Sequence, residues 1–214
     1  MGNDRPVVFL GPSLPLCDAQ MLLPSALFLP PIKRGALLSF VDDPPPVIGI
    51  IDGVFYQNLA ISPKEILTFL KLGARIFGAA SMGALRAVEL YPYGMVGIGQ
   101  IFRLYRCGRV TGDDEVAVRL CPDTLRPLSE PLVNIRIALK AAIRDGIVPA
   151  REASYIIREM KTMYFPERTL PTLFAVAQRI LSPDQLSLLR EWWLRCAPNA
   201  KRDDAKELLQ RIAA

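Results

Sequence analysis

The sequence predicts an α/β fold in which a parallel sheet forms the first part of the chain and helices form the rest. Two short runs rich in β-branched residues, at 6–11 and 46–53, each end in glycine, which is typical of buried parallel strands. From about residue 128 onward the apolar residues recur at helical spacing. We therefore expect a Rossmann-like, three-layer core over residues 1–122, followed by an all-helical extension over residues 123–214 that packs on it.

One helix between the strands has unusually complete signals at both ends. Ser62 is a favoured N-cap residue, Pro63 suits the first helical position, and Glu65 completes a capping box. Gly73 follows the last apolar residue of the pattern and is a typical stop. We expect a helix from Pro63 to the residues just before Gly73.

The elements around this helix complete a β-α-β-α unit over residues 46–90. Residues 74–79 have the pattern of a strand and residues 82–90 that of a helix. Such a unit should be right-handed, with its parallel strands neighbours or nearly so. Residues 35–41 are a weaker candidate for a third strand. The glycine-rich and aromatic segment 90–111 predicts a loop and a short helix that would serve as a lid.

The composition fits a folded protein and excludes several classes of partner. Of the 214 residues, 51% are hydrophobic and 22% are charged, which excludes a disordered chain. No apolar run is long enough to span a bilayer, and the N-terminus does not resemble a signal peptide, so we expect a cytoplasmic protein without membrane contact. The net charge of +5 arises from dispersed basic residues, which argues against nucleic-acid binding.

The cysteines and the missing histidine limit the chemistry. The chain has four scattered cysteines without a CxxC pair, and it has no histidine. We therefore expect free thiols, no structural metal site and no cofactor. A nucleophilic serine in this chain cannot belong to a Ser-His-Asp triad.

Ser81 lies in a turn of small residues where the predicted strand passes into the predicted helix. In an open α/β fold this turn lies at the carboxyl edge of the sheet, where ligands bind. The turn imitates a nucleophile elbow, with Ala79 in place of the first glycine and Gly83 as the second. The backbone N–H of Met82 would then stabilise an oxyanion. The alternative is that Ser81 only caps the helix.

Three other residues are candidates to assist Ser81. Lys64 lies in the first turn of its predicted helix, where a neutral amine is favoured; the alternative is a solvated surface lysine. Asp52, with Gly53 behind it, should lie on the same edge as Ser81 and would orient a base, or it only forms a turn. Arg34 follows a double proline and would hold a carboxylate or thiocarboxylate, or it marks a surface corner.

An acidic cluster follows the glycine-rich segment and consists of Asp113, Asp114 and Glu115. One interpretation is that the cluster binds a cation or pairs with one of three upstream arginines, Arg86, Arg103 or Arg109. The other is that it forms a solvated helix start, since acidic residues suit a first turn.

Nine segments, in order from residue 7 to about residue 210, together resemble the TfuA family. They are GPSL, PPIKRG, IIDGVF, KEIL, GAASMGALRAVEL, YGMVGIGQIFRLY, DDEVAV, YFPERTL and KRDDAKELL. The resemblance is densest between residues 48 and 118. The serine turn alone is also similar to that of Clp-type proteases, which is a local analogy without shared function.

The resemblance implies a function in sulfur transfer. TfuA proteins accompany YcaO enzymes, which use ATP to activate peptide backbone amides for thioamidation. The chain would hydrolyse the C-terminal thiocarboxylate of a ThiS-type sulfur carrier and release sulfide for the YcaO reaction on a ribosomally made peptide. The candidate catalytic residues are Ser81, Lys64 and Asp52. The candidate substrate contacts are Arg34, Met82, Gly53, Arg86, Asp113 and Asp114.

Three alternatives remain open at this point. In the first, the chain is not an enzyme but an adaptor that docks a sulfur carrier onto a YcaO enzyme, and Ser81 is only a helix cap. A nucleotide-binding module is less favoured, because no GxGxxG motif follows the first strand. Within the hydrolase hypothesis, Cys17 or Cys107 would replace Ser81 as the nucleophile.

Overall fold

A computed structural model describes residues 4–54, 59–121, 124 and 126–214 of the chain. The strands are β1 Val7–Phe9, β2 Leu27–Leu29, β3 Val47–Ile50, β4 Arg75–Gly78 and β5 Val96–Gly97. The helices are α1 Leu16–Leu22, α2 Pro63–Lys71, α3 Met82–Leu90, α4 Gly99–Arg106, α5 Leu132–Arg144, α6 Ala150–Thr162, α7 Leu170–Ala177, α8 Pro183–Cys196 and α9 Ala200–Ala213. In the part of the chain described, no helix is both long and apolar enough to cross a membrane.

The sheet is parallel throughout, in the order β2-β1-β3-β4-β5. This confirms the expected α/β class with its parallel core. The chain first passes from β1 to its neighbour β2 at one edge of the sheet. It then crosses to β3 on the other side of β1 and continues in that direction to β4 and β5, so the strand order reverses between β1 and β3. In open α/β sheets, the crevice outside the carboxyl ends of the strands at such a reversal is the usual place for a ligand.

Different helices cover the two faces of the sheet. A Cβ atom at Gly49 of β3 would lie 3.1 Å from Leu208 Cδ2 of α9. A Cβ atom at Gly78 of β4 would instead collide with the carbonyl oxygen of Gly83 in α3. Gly78 is in register with Ile50, the residue after Gly49, and successive residues of a strand face opposite sides. The sheet therefore lies between α3 and α9, which gives the expected three layers.

The chain forms two compact units, Met1–Thr111 with Lys201–Ala214, and Gly112–Ala200. The first unit thus includes most of α9, which the sequence pattern groups with the helical extension. The domain boundary expected after residue 122 stays a prediction, and Pro122 and Asp123 lie outside the described residues.

The second unit is helical, as the sequence predicts after residue 128. Apolar residues of α5, α6, α7 and α8 form its core, among them Leu139, Ile156, Val176 and Trp192. Turns capped by serine or threonine begin two of these helices: Ser182 accepts a hydrogen bond from the amide of Gln185 at the start of α8, and Thr169 caps α7.

Helix α2 confirms the capping signals. The Ser62 side chain accepts a hydrogen bond from the Glu65 amide at 3.3 Å, and Glu65 Oε1 accepts one from the Ser62 amide at 3.2 Å. Pro63 is the first helical residue, and Gly73, at φ +91°, follows the end of the helix. The predicted strand 74–79 and helix 82–90 are also confirmed, as β4 and α3.

The weaker strand candidate at residues 35–41 is wrong. Residues Leu38–Phe40 form a single 3-10 turn, and Leu38 is 66% exposed, so the apolar run has no sheet face to cover. Gly35 has φ +81°, which suits a turn and not a strand. The strand that lies between β1 and β3 in the sequence is instead β2, whose three residues are too few to show an alternating pattern.

Candidate functional site

Asp52, the second residue after β3, holds the loop that follows β1. Its Oδ2 atom accepts hydrogen bonds from the amides of Gly11 at 2.9 Å and Ser13 at 3.1 Å. Its Oδ1 atom accepts one from the Ser13 hydroxyl at 2.6 Å. Asp52 is buried, so these three donors supply the partners that a buried carboxylate needs. The site thus forms at the reversal point between β1 and β3.

Lys201, near the start of α9, adds a cation to this carboxylate. Its Nζ atom lies 3.9 Å from Asp52 Oδ1, and both side chains are buried. Lys201 is not among the site residues predicted from the sequence, although it opens the KRDDAKELL segment that contributes to the family resemblance. A second signal was available, because the apolar Ala205, Leu208 and Ile212 place Lys201 on the buried face of a predicted helix.

Ser81 lies at the same edge of the sheet and is anchored through its backbone. Its amide donates to the carbonyls of Ile51, the neighbour of Asp52, at 3.2 Å and Ala79 at 2.8 Å. The preceding residue, Ala80, has φ +61°, a left-handed conformation that costs free energy in any residue with a Cβ atom. The turn from β4 into α3 is therefore sharp, as expected from the likeness to a nucleophile elbow.

The hydroxyl of Ser81 does not have the role of a helix cap. Ser81 occupies the N-cap position of α3, yet its side chain makes no capping hydrogen bond. Ser62 and Ser182, at the same position of α2 and α8, both accept the capping hydrogen bond. Ser81 is 2% exposed, so its hydroxyl is held at the edge of the sheet without the usual structural task of such a serine.

The small residues around Ser81 allow α3 to approach the sheet closely. A Cβ atom at Gly83 would overlap the carbonyl oxygen of Ile50, and one at Gly78 would overlap the carbonyl of Gly83. The glycines at both ends of this turn are therefore needed for the close contact between β4 and α3.

Met82 and Gly53 meet next to Ser81. A Cβ atom at Gly53 would lie 2.6 Å from Met82 Cγ, so the two residues are in close contact. Met82 is the first residue of α3, and among the described residues its amide has no backbone acceptor. A helix-terminal N–H of this kind is a donor for a developing negative charge.

The loop that carries Arg34 is fixed beside Asp52 and Gly53. The amide of Ile32 donates to the Asp52 carbonyl at 2.9 Å, and the Val54 amide donates to the Ile32 carbonyl at 3.0 Å. The Gly35 amide donates to Glu65 Oε2 at 2.7 Å, which ties the same loop to α2. Arg34 itself has an exposed side chain, so its guanidinium lies at the rim of this edge.

Lys64 and Arg86 are not joined to Ser81 by any contact among the described residues. Lys64 is exposed in the first turn of α2. The guanidinium of Arg86 donates to the Ile61 carbonyl at 2.9 Å and to Glu89 Oε1 at 2.7 Å, so it links α3 to the residue before α2's N-cap. Their catalytic and substrate-binding roles stay predictions.

The acidic cluster belongs to the second unit and is paired there. Glu115 accepts two hydrogen bonds from the Arg136 guanidinium, at 2.9 and 2.8 Å, and Asp114 pairs with Arg168 at 2.5 Å. For Asp114 and Glu115, the interpretation as partners of Arg86, Arg103 or Arg109 is therefore wrong, because arginines of the helical unit occupy these two carboxylates. Substrate binding by Asp113 and Asp114 stays a prediction. Within the described ranges, no group of three acidic or cysteine side chains is arranged to hold a metal ion.

The two cysteines considered as alternative nucleophiles are exposed. Cys17 lies in α1 and Cys107 directly follows α4. Neither has a contact with Asp52 or Lys201 among the described residues, whereas Ser81 is anchored to the residue next to Asp52.

The comparison with protein families covers part of this site. The family model of the TfuA-like proteins matches residues 52–169, a range that begins at Asp52 and includes Gly53, Ser81 and Met82. A comparison with curated proteins gave no match. Because the family match covers more than half of the 214 residues, the chain belongs to the TfuA-like family.

Proposed function

We propose that this TfuA-like protein is a serine hydrolase that releases sulfide from the C-terminal thiocarboxylate of a small, ThiS-type sulfur-carrier protein. The sulfide would serve a YcaO enzyme in peptide thioamidation. The observation that carries the proposal is Ser81, which a strained turn holds at the carboxyl edge of the sheet and which does not cap its helix.

The proposed reaction is acyl transfer to Ser81. Its hydroxyl oxygen bonds to the carbonyl carbon of the thiocarboxylate, and the negative charge that develops on the carbonyl oxygen is stabilised by the Met82 amide. The C–S bond then breaks, and the proton taken from Ser81 leaves with the sulfur as hydrosulfide. Water hydrolyses the resulting ester, which regenerates Ser81 and leaves an ordinary carboxylate on the carrier.

In this proposal Lys201 takes the place of Lys64 as the proton acceptor: the ammonium that faces Asp52 at rest first loses its proton to solvent, and the neutral amine then accepts the proton of Ser81. Lys201 is buried beside Asp52, at the edge that also carries Ser81, and buried lysines are the ones that serve as general bases. Lys64 is exposed and lacks a contact with this edge among the described residues. Asp52 would orient the amine, since its remaining oxygen lone pairs are taken by Gly11 and Ser13.

The burial of Ser81 favours a substrate of narrow cross-section. Ser81 is only 2% exposed, so its surroundings would have to open before a substrate reached the hydroxyl, and a chain end without bulky side chains, such as the glycine tail of a ubiquitin-like carrier, would need the smallest opening. Arg34, at the rim, would bind the negatively charged thiocarboxylate as the tail enters.

Nucleotide binding is less compatible with the loop after β1. The amides of Gly11 and Ser13 already donate to the Asp52 carboxylate, which leaves them unable to bind a phosphate. The negative charge of Asp52 would also repel one.

The experiment that tests the proposal is sulfide release from a purified thiocarboxylated carrier, with and without a YcaO enzyme. A hydrolase releases sulfide from the carrier alone. A non-catalytic adaptor releases none until the YcaO enzyme and its peptide are added, and a nucleotide-binding protein gains thermal stability when nucleotide is added.

A further inference from the structure

We infer that Asp204 and Gly99 lock the C-terminal helix in the register that brings Lys201 to Asp52, which makes Asp204 a positioning residue for the site. The catalytic consequence rests on the function proposed above, whereas the lock itself does not depend on it.

Asp204 supplies the N-terminal cap of a helix other than its own. Its Oδ1 atom accepts a hydrogen bond from the Gln100 amide at 2.7 Å, and its Oδ2 atom accepts one from the Ile101 amide at 2.8 Å. Helix α4 receives no capping hydrogen bond from its own N-cap residue, Ile98. Two otherwise unpaired amides of α4 are therefore satisfied by a carboxylate of α9.

Gly99 is the residue that allows this contact. Its φ is +91°, and a Cβ atom there would lie within 2.5 Å of Asp204 Oδ2. Any larger residue at position 99 would have to displace the Asp204 carboxylate or change the backbone. This contact gives a physical reason for the second glycine of the GIGQIF segment, Gly99. The proposed reaction does not use this residue.

Lys201 and Asp204 lie on one face of α9, three residues apart. Farther along the same face, Leu208 and Ile212 pack against Gly49 of the sheet. Apolar packing of this kind favours burial but is not directional, so it does not define the position of the helix along its axis. The two hydrogen bonds of Asp204 are directional, so they define this position. If α9 moved along its axis by one helical turn, Lys201 would move about 5 Å away from its present place beside Asp52.

The test compares Asp204→Ala and Asp204→Asn with Asp203→Ala as the matched control. Asp203 is the neighbouring residue on α9, and its side chain is 54% exposed. The readout is the reactivity of each lysine of the folded protein toward acetic anhydride, measured by mass spectrometry, with exposed Lys64 as the internal reference. Circular dichroism and a cooperative melting transition establish that each variant is folded.

The lock predicts that Asp204→Ala raises the acetylation rate of Lys201 at least tenfold relative to Lys64. Asp203→Ala should leave that rate unchanged, and Asp204→Asn, which keeps one acceptor oxygen, should give an intermediate rate. If Asp204→Ala does not fold, Asp204→Asn and Gly99→Ala provide the same comparison. An unchanged Lys201 rate in folded Asp204 variants would overturn the inference.

Sulfide release separates a positioning role from a purely structural one. A misplaced Lys201 should lower kcat in Asp204→Asn more than it changes KM, because the carrier still binds while proton transfer is impaired. If the wild-type protein releases no sulfide, the proposed function fails, and the acetylation result still tests the lock. If release is robust and Lys201 reactivity does not respond to Asp204, the lock fails alone.

Discussion

The ammonium group of Lys201 lies 3.9 Å from Oδ1 of Asp52, and the two side chains are only 5% and 2% exposed. This pair joins the C-terminal helix to the carboxyl end of β3. Two buried charges are costly unless further hydrogen bonds support them, and Asp52 has three such bonds from Gly11 and Ser13. The contact between Lys201 and Asp52 therefore stabilises the fold at the same edge of the sheet that carries the candidate site.

The Asp52→Ala variant should be strongly destabilised. It removes three hydrogen bonds and the carboxylate that faces the buried ammonium of Lys201, so we expect the free energy of unfolding to fall by about 3 to 5 kcal/mol. Urea denaturation measures the change. As a control, Ser13→Ala removes one of the hydrogen bonds and should cost about 1 kcal/mol. Equal, small effects of both substitutions would show that the Asp52 carboxylate does not hold the loop after β1.

The Lys201→Met variant should lose sulfide release. Removal of a general base typically lowers the rate by about 10²- to 10⁴-fold, and methionine retains most of the buried volume of the side chain. Lys206→Met, on the same helix, serves as the control and should retain activity. A large loss with Lys64→Met and none with Lys201→Met would return the role of the base to the lysine that the sequence indicated.

Stability should depend on pH through Asp204. Burial raises the pKa of Asp204 from 3.8 to about 6, against the opposing effects of the Gln100 and Ile101 amides and of Arg103, and Glu207 adds to the rise. Because the folded-state pKa is the higher one, this contribution is complete below pH 3.8 and is lost as the pH rises through 6.

The measurement is urea denaturation of the wild type and Asp204→Asn between pH 3.5 and 7. The difference in unfolding free energy between them should shift by about 2 to 3 kcal/mol over that range, toward a relatively less stable wild type at pH 7. The chain has no histidine, so no imidazole titrates in the same window. A difference independent of pH would contradict the raised pKa.

Carrier encounter should weaken with salt. The chain has a net charge of +5, which would attract an acidic ubiquitin-like surface and accelerate association at low ionic strength. We expect kcat/KM for sulfide release to fall between 50 and 500 mM salt, by about tenfold. A kcat/KM that is constant over this range would count against electrostatic steering while leaving the chemistry at Ser81 unaffected.

Parts of the fold that depend on residues close together in the sequence could be predicted from it. The capping box of Ser62 and Glu65 involves a single turn, and the turn at Ser81 is defined by the small residues beside it. Asp52 could be placed near Ser81 because parallel strands bring their carboxyl ends to one edge. These relations need only the strand order and short-range geometry.

The contacts made by α9 could not be predicted in this way. Lys201 and Asp204 reach partners more than 100 residues earlier in the chain. A helical pattern indicates which face is buried without indicating what covers it. The same limit explains the arginines of the acidic cluster. Nothing in the sequence distinguishes Arg136 and Arg168 from Arg86 or Arg103 as partners, so only the packing of the helical unit selects them.

Sulfide release by the Ser81→Ala variant decides whether Ser81 is the nucleophile. The assay contains a thiocarboxylated ThiS-type carrier and no YcaO enzyme, and the variant is first shown to melt like the wild type. We predict that the wild type releases sulfide and that Ser81→Ala loses this activity by at least about 10³-fold, because the attacking oxygen is gone. Undiminished release by the folded variant would contradict the account and direct attention to a thiol or an activated water.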